Sequence, residues 1–238
     1  MDTYWDGTSF ESKGIVVERV HDELPEMREE MEAYPGRHGS HVSSLTLGPR
    51  EIRLECRAFC GTWNEFDALM TELSEWLVTM DERELVLRTH PTQPYMAHYN
   101  SITEGDRQGG IGGFEVTFTA ADPLRLGEER AFVITDTSQR SFEIGGTDRA
   151  DMTIVIANAS RDSNGCLTIT ANGKALSVPL PYESGNRVEL DCVHHRAKVN
   201  GSSSGITLSS VWPDFMPGRW TMRVSSGTAT LSWTQRYR

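Results

Sequence analysis

The sequence predicts a mainly β protein, with an N-terminal β-sheet or sandwich domain that carries one amphipathic helix and a C-terminal antiparallel β-sandwich. Three observations lead there. Apolar and polar residues alternate with period two at 52–58 and again at 114–120. A single segment, 66–77, has helical periodicity, and beyond Pro123 strands and turn signals alternate every eight to twelve residues.

Taken in order, Gly14 to Val20 is the first strand candidate. Asp22 to Ala33 follows, with Asp22, Glu23, Glu26, Glu29, Glu30 and Glu32 set against the single base Arg28. Mutual repulsion makes it a poor core element, so it reads either as a solvated loop or as an arm organised by a neighbouring subunit. Ile52, Leu54, Cys56 and Ala58 share one face of the next strand, with charged residues between them. Thr62 followed by Glu65 is a capping-box signature, and Phe66, Leu69, Met70, Leu73, Trp76 and Leu77 fall on one helical face. This predicts a helix from about Trp63 to Thr79, packed on the sheet of the first half. Glu84 to Thr89 and Tyr95 to Tyr99 are further strands, and Phe114, Val116, Phe118 and Ala120 repeat the one-sided pattern.

A domain boundary is expected near Asp122-Pro123, because proline cannot continue a ladder, dividing the chain into residues 1–125 and 126–238. Past it, Leu167 to Thr170 and Lys174 to Val178 flank Asn172-Gly173, a hairpin signal because both residues tolerate positive φ. Arg196 to Val199 ends in a second Asn-Gly, and Ile206-Thr207-Leu208 is a strand candidate. Trp220 to Val224 turns through Ser225-Ser226-Gly227 into Ala229, Leu231 and Trp233.

Composition narrows the class of function. With 37% apolar and 24% charged residues the 238-residue chain is globular, and no apolar run approaches the roughly 18 residues of a membrane helix. The start, Met1-Asp2-Thr3-Tyr4-Trp5-Asp6, has no basic segment leading into an apolar one, so synthesis and folding in a cytosol are expected. The net charge of −11 is unevenly spread, since residues 1–125 hold 11 Lys/Arg and 23 Asp/Glu whereas residues 126–238 hold 12 and 11. A field of that sign repels phosphate backbones and argues against a protein that grips nucleic acid.

Candidate chemistry is sparse. Cys56, Cys60, Cys166 and Cys192 show no CxxC pair and read as reduced thiols. Gly201-Ser202-Ser203-Ser204-Gly205 matches GxSxG, but a turn precedes it and no helix follows, so it reads as a flexible loop rather than a nucleophile elbow. Cys192 and His194 would share a strand face beside Asp191, a pair of ligands short of a closed zinc site. His38 and His41 have a spacing that aligns ligands only on a helix, which Gly36 and Gly39 oppose. Trp212, Trp220, Trp233, Tyr182 and Tyr237 suggest a sugar-stacking platform, although at strand spacing Trp220 and Trp233 fit a core better. No cofactor, metal or catalytic set is expected.

Several short strings occur in an order that resembles the siphophage distal tail (Dit) family. They are Trp5-Asp6-Gly7, Gly14-Ile15-Val16-Val17, Tyr34-Pro35-Gly36-Arg37-His38-Gly39-Ser40 and the Arg-Ile strand at Arg50 to Leu54. The helix ending Trp76-Leu77, Tyr95-Met96-Ala97 and Phe118-Thr119-Ala120-Ala121-Asp122-Pro123 continue the order. The second half follows from Ile154 through Asn172-Gly173, Leu190-Asp191, Asn200-Gly201 and Phe215-Met216-Pro217-Gly218 to Arg236-Tyr237. The resemblance implies a structural virion protein, not an enzyme, assembled in the bacterial host cytoplasm and placed at the tail tip. It implies a hexameric ring that joins the tail-tube protein to a tail-associated hub or fibre protein, with a receptor-binding protein as a further candidate partner. Genome DNA would pass through unbound, and no membrane insertion is implied. Residues 1–125 would form the ring and residues 126–238 a galectin-like sandwich serving as an anchoring platform.

The residues suit that role. Pro35 fixes φ while Gly36 and Gly39 permit tight turns, so the loop can hold Arg37 for a bidentate contact with a carboxylate, within its own subunit or across a subunit boundary. Glu23, Glu26, Glu29, Glu30 and Glu32 are candidates for the ring's acidic opening or for the arm. Two other readings remain open: a carbohydrate-binding sandwich, which predicts a monomer with sugar affinity, and a tail-tube protein, which predicts long tubes.

Overall fold

Alternation of side chains along one strand organises the first half of the fold. The computed structural model describes residues 2–108 and 111–238, and the chain divides into two units, Met1–Arg125 and Leu126–Arg238. Unit 1 contains β1 (Tyr4–Trp5), β2 (Thr8–Ser9), a 3-10 turn (Glu11–Lys13), β3 (Ile15–Asp22), β4 (Met27–Glu32), β5 (His41–Leu47) and β6 (Arg50–Phe59). Helix α1 (Trp63–Leu77), β7 (Arg83–Val86), β8 (Tyr95–Gln108) and β9 (Ile111–Ala120) complete it. The main sheet has the order β2-β1-β7-β8-β9-β6-β3, and β4 and β5 pair only with each other. Along β6, Ile52, Leu54, Cys56 and Ala58 are buried on the core face, as the alternation requires.

Helix α1 docks on that face. The Thr62 hydroxyl accepts the Glu65 amide at 3.3 Å, and the Glu65 carboxylate reaches back to the Gly61 amide at 2.8 Å, one residue before the partner a standard capping box would use. Phe66, Leu73 and Leu77 are buried, each stabilising the unit by roughly 1.5–3 kcal/mol. A Cβ at Gly112 would lie 2.0 Å from the Phe66 ring, so the strand admits the helix there because it carries no side chain. At the free edge, Arg88 donates to the carbonyls of Val17 and Glu18 at 2.9 and 2.8 Å, which blunts an edge open to stray pairing.

Strand β10 (Arg125–Ile134) starts at the last residue of unit 1 and otherwise belongs to unit 2, which also contains β11 (Arg140–Ile144), β12 (Asp148–Ala159), β13 (Cys166–Ala171) and β14 (Lys174–Pro179). Unit 2 continues with β15 (Asn186–Asp191), β16 (Arg196–Val199), β17 (Ser202–Ser204), β18 (Gly218–Val224) and β19 (Thr228–Tyr237). Two antiparallel sheets, β10-β19-β12-β15-β16-β17 and β11-β18-β13-β14, enclose one core that includes Met152, Ile154, Leu190, Leu231 and Trp233 from the first and Phe142, Ile169, Leu176, Val178 and Met222 from the second. Asn172 and Gly173, at φ 45° and 80°, make the expected hairpin turn.

The structure corrects the sequence reading at three places in unit 2. Ser202–Ser204 is not a flexible loop but a short strand registered on β16, because Asn200 and Gly201 at φ 51° and 81° turn the chain tightly enough to pair. Ile206 to Leu208 is not a strand. The segment lies along β14 as an edge cover, with the Thr207 amide donating to Ser177 O and the Val211 amide to Ala175 O, and it leaves the Leu208 side chain in solvent. Strands β18 and β19 flank the expected turn at 225–227 and belong to different sheets. Cys192 and His194 share no strand face, because the Asp191 carboxylate accepts the Val193 and His194 amides and ends β15 in a turn. Cys192 is buried there, and His195 stacks on Trp212 with ring centroids 5.2 Å apart. Trp220 and Trp233 are core, whereas Tyr182 is exposed.

Candidate functional site

The acidic stretch after β3 is a β-hairpin rather than irregular chain. Register places Met27 opposite Leu47, Glu29 opposite Leu45 and Met31 opposite Val42, with an irregularity between Glu30 and Met31. These pairs share one face, so that face is apolar apart from Glu29. Arg28, Glu30 and Glu32 occupy the other face with Thr46, Ser44 and His41. Neither face is covered, since every β4 residue is exposed and Met27, Met31, Val42 and Leu45 keep 55, 58, 40 and 56% of their surface in solvent. Leu24 and Tyr34, at the hairpin's two ends, are exposed too.

The tip holds Pro35, Gly36, Arg37 and Gly39. Gly36 and Gly39 adopt φ 80° and 87°, which only glycine tolerates readily, and the Arg37 amide closes a turn onto Tyr34 O at 3.3 Å. Tyr34 donates to the Glu32 carboxylate at 2.9 Å and lies near His41, with ring centroids 6.5 Å apart. Arg37 is exposed, with no ion pair among the described residues. The loop thus presents a cation at the end of an acidic stem.

The five glutamates singled out from sequence all lie on this hairpin or at its root. Glu23 accepts from Arg53 at 3.0 Å, Glu26 uses its carbonyl to accept the Gly48 amide at 2.7 Å, and Glu29, Glu30 and Glu32 sit on β4. Further carboxylates gather on the solvent face of the main sheet. Glu55 stands directly across from Glu115, and Glu18, Glu104 and Asp106 line the same groove of about 610 Å³. Opposed like charges cost stability, and Glu55 also shares a hydrogen bond with His21 at 2.6 Å.

Two features escaped sequence reasoning. The apolar face of the hairpin was readable in principle, since Met27, Glu29 and Met31 alternate with Arg28 and Glu30, but the glutamates hide the period. The second is a buried cluster at the root, where Arg50 Nη1 donates to Asp22 at 3.1 Å and the Tyr95 hydroxyl donates to both Asp22 oxygens at 3.2 and 3.0 Å. Arg50 also contacts the Tyr95 hydroxyl and ring. Burial, and then the Asp22 charge, push the Tyr95 phenol up to about 12.

Comparison with known proteins gives concordant matches. Residues 6–120 match a family described as a phage tail protein RIFT-related domain, and residues 145–237 match the siphovirus-type tail component, C-terminal domain. The distal tail protein of Bacillus phage SPP1 is 23% identical over 210 residues, covering 85% of this chain and 82% of that one. The crystal structure of the SPP1 Dit protein superposes with a TM-score of 0.78 at 18% identity, covering 100% of this chain and 99% of that one. A chain of the phage p2 baseplate, at 8% identity and a TM-score of 0.44 over 95% of this chain and 92% of that one, is too distant to add to the argument.

Proposed function

The chain belongs to the siphophage distal tail (Dit) family, whose members are structural tail proteins and not enzymes, and from that premise we propose a ring-forming role at the distal end of a long non-contractile tail. A structural part in the tail tip, in company with other tail proteins, follows from the family. The finer proposal is that six copies close a ring that joins the tube to the hub or fibre protein and lets DNA pass. In it residues 1–125 build the ring and residues 126–238, as a galectin-like sandwich, anchor what lies outside.

The observation that carries the proposal is the uncovered apolar face of β4–β5. A hairpin of two strands is marginal alone in water, and monomers seldom leave contiguous apolar surface bare. Covering Met27, Met31, Val42 and Leu45 on a neighbour would contribute up to roughly 1.5–3 kcal/mol for each side chain. That total is comparable with the cost of immobilising one copy on another, so each interface is modest and a closed ring, where every copy has two, holds best. An arm that reaches a different surface of the next copy makes a head-to-tail contact, the kind that generates rings. Arg37 at its tip meets the net negative charge of a neighbouring unit 1, and sixfold repetition of the acidic surfaces gives an opening along which a polyanion slides without adsorbing.

Negative-stain microscopy of the concentrated chain, alone and with tail-tube and hub proteins, tests this. Closed rings with a central hole are expected. Long tubes would instead indicate a tube protein, and a strict monomer that binds glycans a carbohydrate-binding module.

A further inference from the structure

The arm leaves and re-enters the main sheet at two residues that touch each other. Asp22 is the last residue of β3 and Arg50 the first of β6, so residues 23–49 form an excursion whose ends meet in the Asp22–Arg50–Tyr95 cluster. Arg50 is 2% and Tyr95 0% exposed, whereas the other contacts at the root are in solvent, Arg53 with Glu23 and Glu51 at 3.0 and 3.5 Å. Beyond Asp22, which still pairs with Ile52, the β3 ladder ends, and nothing in the main sheet's register dictates where the chain goes next.

We propose that Asp22, Arg50 and Tyr95 form a clasp that sets the direction in which the arm leaves the sheet. A buried charge pair is sensitive to geometry in a way that apolar packing is not. Asp22 and the Tyr95 hydroxyl are the partners of a guanidinium that is 2% exposed and whose Nε has no hydrogen-bond partner among the described residues, so any swing of either strand end leaves a buried charge less compensated. Arg125 bears on the same site, so a displaced Asp22 would leave Arg50 facing like charge. The cluster is therefore a positioning device, and its partners act on assembly only through where they hold the arm. This rests on the arm reading above, because a fixed direction matters only if the arm must find a neighbour.

Distances between spin labels at Ser40→Cys on the arm tip and Ser74→Cys on α1, in a Cys60→Ser background, test it in dilute, unassembled chain. The parent is expected to show one narrow distance. Asp22→Asn and Tyr95→Phe are expected to broaden or shift it by several ångströms, while Arg53→Gln, which removes only the exposed pairs at the root, leaves it unchanged. Tyr95→Phe keeps the ring that fills the core, so it reports even if Asp22→Asn does not fold. A parent distribution as broad as the variants', folded variants that keep the parent's distance, or an equal effect of Arg53→Gln would overturn the proposal. Failure of the arm reading itself would appear elsewhere, as a parent that never forms rings, without altering these distances.

Discussion

Two antiparallel hairpins of similar length differ in what their apolar faces meet. In β13–β14 of unit 2, Leu167, Ile169, Leu176 and Val178 point into the sandwich core and are buried, and the loop at 206–211 covers the outer edge. In β4–β5 of unit 1, Met27, Met31, Val42 and Leu45 share one face and keep 40–58% of their surface in solvent, packed into neither hydrophobic core among the described residues. Backbone pairing already separates them, since β13 also pairs with β18 and β14 receives the amides of Thr207 and Val211, whereas β4 and β5 pair only with each other. Packing does so too, and by that measure the first hairpin is complete within one chain, whereas the second, on the proposal above, needs a neighbour to cover it.

The comparison can be broken from the side of the complete hairpin first. Ile169→Ala is expected to destabilise unit 2 by about 2–5 kcal/mol, because it opens a cavity in a closed core, and chemical denaturation reads the loss. A smaller loss would mean that the hairpin is not held by the sandwich. Within unit 1, Gly112→Ala forces a methyl against the Phe66 ring and is expected to cost about 1–3 kcal/mol, visible as a lower unit 1 melting temperature.

Alkaline pH should affect both units alike. Burial pushes the thiols of Cys56 and Cys192 up to about 12, from an ordinary value of 9.0. The unfolded chain ionises first, so this contribution to stability is intact below about pH 9 and falls as pH rises toward 12. Denaturation curves at pH 8 and pH 10.5 should show the drop, and Cys56→Ala with Cys192→Ala should flatten it. At pH 8, a thiol reagent should modify the partly exposed Cys60 well before either buried cysteine.

The smallest effect on stability falls on the arm. Met31→Ser should change folding free energy by less than about 0.5 kcal/mol, since the side chain is already in water, yet it should weaken association of copies. A large loss of monomer stability would show that the arm face is covered within its own chain after all.

What the sequence disclosed follows the same divide. Elements that pack within the chain were legible: α1 through its spacing and cap, β6 and β9 through alternation, and the 172–173 turn through Asn-Gly. Strands β4 and β5 were not, because neither packs on a core of its own unit and the run of glutamates reads as solvated coil. Ile206 to Leu208 misled in the opposite sense, since an alternating triplet with two β-branched residues serves as an edge cover whose backbone bonds go to β14 out of ladder register. The clasp was invisible because Asp22, Arg50 and Tyr95 are far apart in sequence and only the fold brings their charges together.

Native mass spectrometry across a concentration series, alone and with tail-tube and hub proteins, compares the parent chain with Met27→Ser/Met31→Ser/Leu45→Ser and tests the central claim most directly. The account predicts a six-copy species for the parent and only a folded monomer for the triple variant. Equal assembly of the two, or a parent that stays monomeric under every condition, would contradict it.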